Sequence, residues 1–178
     1  YLPVMQAMEI AVANRLRGWP EQIDLQDLFY EDLVIRLQEV EEQIGIELAL
    51  QQREAVIAAC QNPLLVITGG PGTGKTTIVR VILEMYATWG WKTLLASPTG
   101  RAAKRLAEST GRPAQTIHRL LEFGYEADVG LHFRRNEDNP LKTDVIIVDE
   151  VSMVDGDLFD KLEEIARRIR HQLGQVSL

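Results

Sequence analysis

The chain has 178 residues, 46% hydrophobic and 25% charged, with a formal net charge of −7 and a single cysteine. That is the composition of a soluble globular protein, long enough for one α/β domain of ordinary size plus a small appendage. No apolar run approaches the roughly 18 residues of a membrane span, Tyr1 begins no signal-peptide pattern, and the lone Cys60 excludes both a disulfide framework and a paired-cysteine zinc site, so a cytoplasmic protein without membrane contact is expected.

The acidic balance is local. Residues 1–60 hold four Lys/Arg against eleven Asp/Glu, whereas residues 61–178 hold fifteen of each. The later part is therefore free to carry basic patches. Residues 3–17 place Val4, Met8, Ala11, Val12 and Leu16 at helical spacing, and Gly18-Trp19-Pro20 stops the pattern. Asp24 is a candidate cap for a second helix, with Leu25, Leu28, Leu33, Leu37, Val40 and Ile44 as its apolar face and Gly45 as its stop. Residues 1–45 read as a helical segment or the end of a larger helical domain. They serve either a partner or DNA, or only packing with a solvated acidic face. A third helix is expected over Leu50 to Cys60, ended by Asn62-Pro63.

Leu64 to Thr68 reads as a short apolar strand. It delivers the chain into Gly69-Gly70-Pro71-Gly72-Thr73-Gly74-Lys75-Thr76, followed by Thr77, which fits the phosphate-binding pattern G-x-x-x-x-G-K-[ST]. Glycines let the backbone turn its N–H groups inward, so phosphate oxygens meet donors and the positive end of a helix. Lys75 would reach the β- and γ-phosphates, and the Thr76 hydroxyl would help hold Mg²⁺. The amphipathic run Ile78 to Trp89 follows, with Gly90 as its stop.

Lys92 to Ser97 reads as a second strand, Pro98-Thr99-Gly100 as a turn into a helix that ends near Gly111, and Thr116 to Leu121 as a short helical turn. Residues 122–140 lack clear periodicity and are expected to form a loop or a short hairpin. Val145 to Val148 is an apolar strand of the kind covered on both faces in a parallel sheet. Strands alternating with helices imply an α/β fold with a doubly wound, mainly parallel sheet. Asp149 and Glu150 stand at the carboxyl end of the third strand, where ligands of such sheets bind. There Asp149 can complete the Mg²⁺ shell begun by Thr76, and Glu150 can orient or deprotonate a water that attacks the γ-phosphate.

Five segments in order carry a resemblance. Gln52-Arg53-Glu54-Ala55, Thr68 to Thr76, Ala96 to Ala103, Thr116 to Leu121 and Val148 to Asp155 resemble motifs Q, I, Ia, Ib and II of superfamily 1 helicases, and their wording is most similar to the RecD-like DNA helicases. Asp155 to Arg170 is similar to the related PIF-family helicases. The resemblance covers about residues 46–160 and implies a RecA-like motor domain over 46–178. It implies ATP and Mg²⁺ as cofactors, single-stranded DNA as partner, 5′-to-3′ movement, and recombination or conjugation subunits as further partners. It gives Gln52 the adenine edge, which its amide can both donate to and accept from; the other reading is a polar residue on a surface helix. It gives Pro98, Thr99, Gly100, Arg101, Thr116 and His118 to DNA. Local charge agrees: Arg101, Lys104, Arg105, Arg112 and Arg119 face only Glu108 between Thr99 and Leu121. Lys104 and Arg105 serve equally as a solvated helix face, and His118 as a structural residue. Ser152 is a candidate link between the two sites, and Met153 is expected in the core.

The departures narrow the reading. A second motor domain with an arginine finger is not legible, and His171 to Val176 holds only a remnant of the family's third motif. The chain therefore reads as part of a DNA helicase, or as a nucleotide-binding module that is catalytically incomplete by itself. A small-molecule kinase, the other P-loop reading, fits poorly with Pro98 to Arg101 and Asp149 to Met153.

Overall fold

The computed structural model describes residues 29–70, 72–127, 130–136, 138–162 and 164–165. The expected helix over 3–17, the Asp24 cap, Pro71 and the motif remnant at 171–176 lie outside them. The first described helix, α1, spans Tyr30–Ile44 with Phe29 as its N-cap, so within the described residues it begins later than a cap at Asp24 would place it. Phe29 has an extended ψ of 141°, and the first-turn acids Glu31 and Asp32 complement the helix dipole. Leu33, Leu37, Val40 and Glu41 are the buried stripe, and Gly45 closes the helix at φ 65°, a conformation glycine takes without a Cβ penalty.

Helix α2 (Leu50–Gln61) and helix α3 (Lys75–Thr88) flank the glycine-rich loop. Strand β1 (Thr93–Ser97), helix α4 (Gly100–Thr110), strand β2 (Ala114–Thr116) and the short helix α5 (Ile117–Leu120) follow. Strands β3 (Phe123–Glu126) and β4 (Gly130–Phe133) form an antiparallel hairpin. Strand β5 (Val145–Val148) leads into a 3₁₀ turn (Val151–Met153), and 156–162 are helical.

The main sheet is parallel, in the order β2-β1-β5, with Leu95 opposite Ala114 on one side and Ile147 on the other. Its register is pinned at the start. The Lys92 carbonyl accepts from Asp144 N (2.9 Å), Val145 N (3.2 Å) and Thr143 Oγ1 (2.6 Å), while Lys92 N donates to Asp144 Oδ2 at 2.6 Å. Side chains alternate across the pleat. Leu95 and Ile147 meet Leu83 and Leu106 of α3 and α4, and Val145 packs with Ile147 against the α1–α3 core. Leu94, Ala96, Ile146 and Val148 face the opposite layer, built from Ile117, Leu120, Leu121, Leu158, Leu162 and Ile165. Helices therefore cover both faces, as an all-apolar parallel strand requires.

Two expectations need correction. Leu64 to Thr68 is not a paired strand: 65–70 has no ladder, and Val66 is 65% exposed. Ile67 still packs against the core that takes Val145 and Ile147, so side-chain burial rather than backbone pairing holds the segment. Strand β2 was not expected, because three residues behind Pro113 are too short to show a period.

Under α1–α3 lies an aromatic group. Tyr86 sits 5.2 Å from Trp91 and 6.3 Å from Trp89, and its hydroxyl donates to the Ala59 carbonyl at 2.9 Å. Neighbouring Cys60 is buried, which pushes its thiol up to about 12 from 9.0. Burial, and secondly Cys60, raises Tyr86 as well. The folded thiol thus keeps its proton over a range in which the unfolded thiol has lost it, so stability is full below pH 9 and falls as pH rises from there toward 12. Thermal unfolding followed from about pH 8 to 11 should show this fall, and Cys60→Ala, though less stable at neutral pH, should fall less steeply. An unchanged alkaline slope in that variant would remove Cys60 as the cause.

Candidate functional site

The glycine-rich loop is shaped by backbone conformations that side chains resist. Gly72 and Gly74 lie at φ 78° and 80°. A Cβ on Gly74 would also collide with Gln52 Nε2. Gly74 is the N-cap of the 14-residue α3 and offers no side-chain acceptor, so the first N–H groups of that helix are left for another partner. Left-handed glycines in front of an uncapped helix N-terminus are a fitting cradle for an anion.

Side chains hold the cradle. The Lys75 ammonium donates to the carbonyls of Gly69 (2.6 Å) and Gly70 (2.8 Å), and Thr73 Oγ1 donates to Gly70 O at 2.9 Å. Gln52 Nε2 donates to the Thr73 carbonyl at 3.1 Å, and Gln52 Oε1 accepts from Ala49 N at 3.0 Å. Both ends of the Gln52 amide are therefore used by backbone, beside the loop rather than out on a free surface. Thr76 is exposed and Thr77 half-buried at the start of α3.

Asp149 extends β5 by one residue, donating its N–H to the Ala96 carbonyl at 3.0 Å. The alternation that turns Val145 and Ile147 toward the α1–α3 side carries Asp149 to that same face. Its Oδ1 accepts from Glu150 N at 3.0 Å. Glu150 itself is exposed and left-handed, at φ 56° and ψ 41°, a conformation that a residue with a Cβ enters at a cost. Lys75 is joined to its own loop and not to Asp149 or Glu150. Ser152 is exposed on the following turn, and Met153, expected in the core, is 59% exposed because the 3₁₀ turn runs along the surface.

The same carboxyl edge of the sheet carries the basic stretch. Pro98 leads from β1 into α4, where Thr99 Oγ1 accepts from Ala102 N at 3.2 Å and Gly100 and Arg101 open the helix. After β2, Thr116 Oγ1 accepts from Arg119 N at 3.2 Å as the cap of α5. Each of these hydroxyls still has its own proton to donate. Arg101, Lys104, Arg105, His118 and Arg119 are exposed. Arg112 instead pairs with Glu84 of α3 at 3.0 Å, and Lys104 lies 3.8 Å from Glu108.

Two features escaped the sequence reading. The hairpin has an apolar face: Phe123 and Phe133 stand opposite each other at 4.8 Å, His118 lies 5.5 Å edge-on to Phe123, and Tyr125 and Leu131 continue outward at 70% and 68% exposure. The period-2 pattern of Phe123-Gly124-Tyr125 and Leu131-His132-Phe133 was the available signal. The second is Glu41, an acid on the apolar stripe of α1, buried at 6% exposure.

The family model described as AAA domain matches residues 52–174. The chain is 42% identical over 107 residues to the ATP-dependent RecD2 DNA helicase of Deinococcus radiodurans, covering 60% of this chain and 14% of that protein. It is 39% identical over 140 residues to the RecBCD enzyme subunit RecD of Mycolicibacterium smegmatis, covering 66% and 25%. It is 41% identical over 97 residues to the ATP-dependent DNA helicase dda of Enterobacteria phage T4, covering 52% and 22%. The chain thus spans a quarter or less of the length of these relatives.

The strained Glu150 backbone gives a test that separates chemistry from stability. Asparagine accepts the left-handed conformation better than glutamate, so Glu150→Asn should unfold at a higher denaturant midpoint, its unfolding free energy raised by up to about 1 kcal/mol. The same change removes the carboxylate from the site. A variant less stable than the parent would show that Glu150 is held by contacts that outweigh its backbone strain.

Proposed function

This chain belongs to the AAA domain family, as a RecD-like superfamily 1 helicase motor region, and from that premise we propose that its protein couples Mg-ATP hydrolysis to 5′-to-3′ movement along single-stranded DNA. The observation that carries the proposal is the uncapped N-terminus of α3 behind the loop Gly69 to Thr76, with Asp149 on the same face of the sheet. Gly70, Pro71, Gly72, Thr73, Gly74, Lys75, Thr76 and Thr77 would hold the phosphates through backbone N–H groups and the Lys75 ammonium. To do so Lys75 exchanges the carbonyls of Gly69 and Gly70 for phosphate oxygens.

The exposed Thr76 hydroxyl and the Asp149 carboxylate are hard oxygen donors suited to Mg²⁺. When bound, that ion supplies charge neutralisation on the phosphates. Glu150 orients the attacking water and takes its proton. Gln52 meets the adenine edge with the second N–H and the second lone pair of its amide, keeping Ala49 N and the Thr73 carbonyl as partners.

Pro98, Thr99, Gly100, Arg101, Thr116 and His118 would meet DNA from the edge that carries Asp149. The side chains of Arg101, Lys104 and Arg105 supply charge for the phosphates, and exposed Tyr125, on the hairpin whose Phe123 and Phe133 meet His118, suits unstacked bases. Among the described residues no helix is long and apolar enough to cross a membrane, and we propose a cytoplasmic protein that assembles with other recombination or conjugation subunits. Residues 1–45 belong with a longer N-terminal region, and 46–178 with the first of two motor domains. Such a part binds nucleotide more readily than it turns it over, since an arginine from elsewhere stabilises charge in the transition state.

Two measurements test this reading. In the full-length protein Lys75→Ala should lower DNA-stimulated ATP turnover by about 10²-fold or more, and surviving turnover would place the chemistry elsewhere. In the same protein Arg101→Ala with Arg105→Ala should weaken single-stranded DNA binding and flatten its dependence on salt concentration by about one to two phosphate contacts. An unchanged salt slope would return these arginines to the solvated face of α4.

A further inference from the structure

Glu41 is an acid where an apolar residue would serve packing. It follows Leu37 by one helical turn on the buried stripe of α1, among side chains that form the core with α2 and α3. A carboxylate in that place is costly to bury unless it is bonded and paired. It is bonded: Oε1 accepts from Leu48 N at 2.7 Å. It is also paired, with Arg53 Nη2 at 3.2 Å from Oε2, although no Arg53 N–H is aimed at that oxygen. One side chain therefore fixes both the connection after Gly45 and the first turn of α2.

That turn holds Gln52. The N-cap of α2 is Ala49, which has no side-chain oxygen, and its own N–H is met by Gln52 Oε1. Only an oxygen can face that N–H, so the amide has one orientation, with its NH₂ group turned to the Thr73 carbonyl. The bonds of the Lys75 ammonium and the Thr73 hydroxyl are internal to the loop and its helix. Among the described residues, Gln52 supplies the hydrogen bond that ties the loop to another element. No ladder takes its place, since 65–70 is unpaired.

We infer that Glu41 is a positioning residue for the nucleotide loop, acting from α1 through Leu48 N and Arg53 on the first turn of α2, and through Gln52 on Thr73. This rests on the reading of Gly69 to Thr76 as a nucleotide site. It gives α1 a part in setting the nucleotide affinity rather than in packing alone. Glu41→Gln keeps an acceptor for Leu48 N but loses the charge opposite Arg53, whereas Glu41→Ala loses both.

Two measurements on this chain test the inference and keep it apart from the nucleotide reading. The first is amide hydrogen exchange without nucleotide. Glu41→Ala, Glu41→Gln and Gln52→Ala should each speed exchange at Ile78, whose N–H donates to the Gly74 carbonyl at the end of the loop (3.0 Å), and over the first bonded turn of α3 that follows it. Faster exchange confined to 45–53, with Ile78 and that turn unchanged, would overturn the inference whatever the chain binds. The second is Mg-ATP affinity in a double-mutant cycle. Glu41→Ala should weaken binding by about tenfold and Glu41→Gln by a few-fold, but either change should matter less than about twofold once Gln52 is alanine. An equal loss with and without Gln52 would make Glu41 a general stabiliser and end the inference. No binding by the parent chain would contradict the nucleotide reading alone, and the exchange result would still decide the role of Glu41. Should Glu41→Ala fail to fold, Glu41→Gln and Gln52→Ala carry both measurements.

Discussion

An uncapped helix start is the constraint on which the rest of this molecule turns. Helix α3 begins at Lys75 behind a glycine with no side chain to meet its first N–H groups. Those groups favour negative charge, and the left-handed backbone at Gly72 and Gly74 bends the preceding loop toward them. Any side chain at Gly74 would strike Gln52. The loop therefore cannot acquire a cap of its own without losing its tie to α2. It is kept open to an anion and held in place from outside.

The sheet decides on which side its terminal carboxylate lies. Because β1 and β5 alternate their side chains between two helical layers, one residue of slip would exchange the faces. The Lys92 carbonyl, with three donors at the head of β1 and β5, fixes the register against such slip. Asp149 then follows Ile147 onto the α1–α3 side, and Glu150 turns out of the ladder through a left-handed backbone. The loops after β1 and β2 emerge from the same edge, so exposed Arg101, Arg105 and His118 stand on the edge that carries Asp149. A shared edge is the simplest physical basis for the coupling proposed above.

Much of this was legible in the residues because it is local. The apolar run of β5 and the glycine stops at Gly45 and Gly111 depend on neighbours in sequence, and the structure has them in place. What was not legible depends on distant partners. Leu64 to Thr68 has the composition of a strand, but pairing is a property of two segments, and no described strand takes it. Met153 has the chemistry of a core residue and lies on an exposed turn. Arg112 looked like part of a basic groove until Glu84, on α3, proved to be its partner. Glu41 was visible as an acid on an apolar stripe, but its meaning required Leu48, Arg53 and Gln52 together.

In the proposed function the α3 N-terminus and Asp149 form one site for a phosphate chain and its cation. Calorimetric titration of this chain with ATP, with and without Mg²⁺, tests it most directly when repeated on Asp149→Asn. Mg²⁺ should tighten binding to the parent chain, and that gain should vanish in the variant while metal-free binding persists. Equal tightening by Mg²⁺ in both would contradict it.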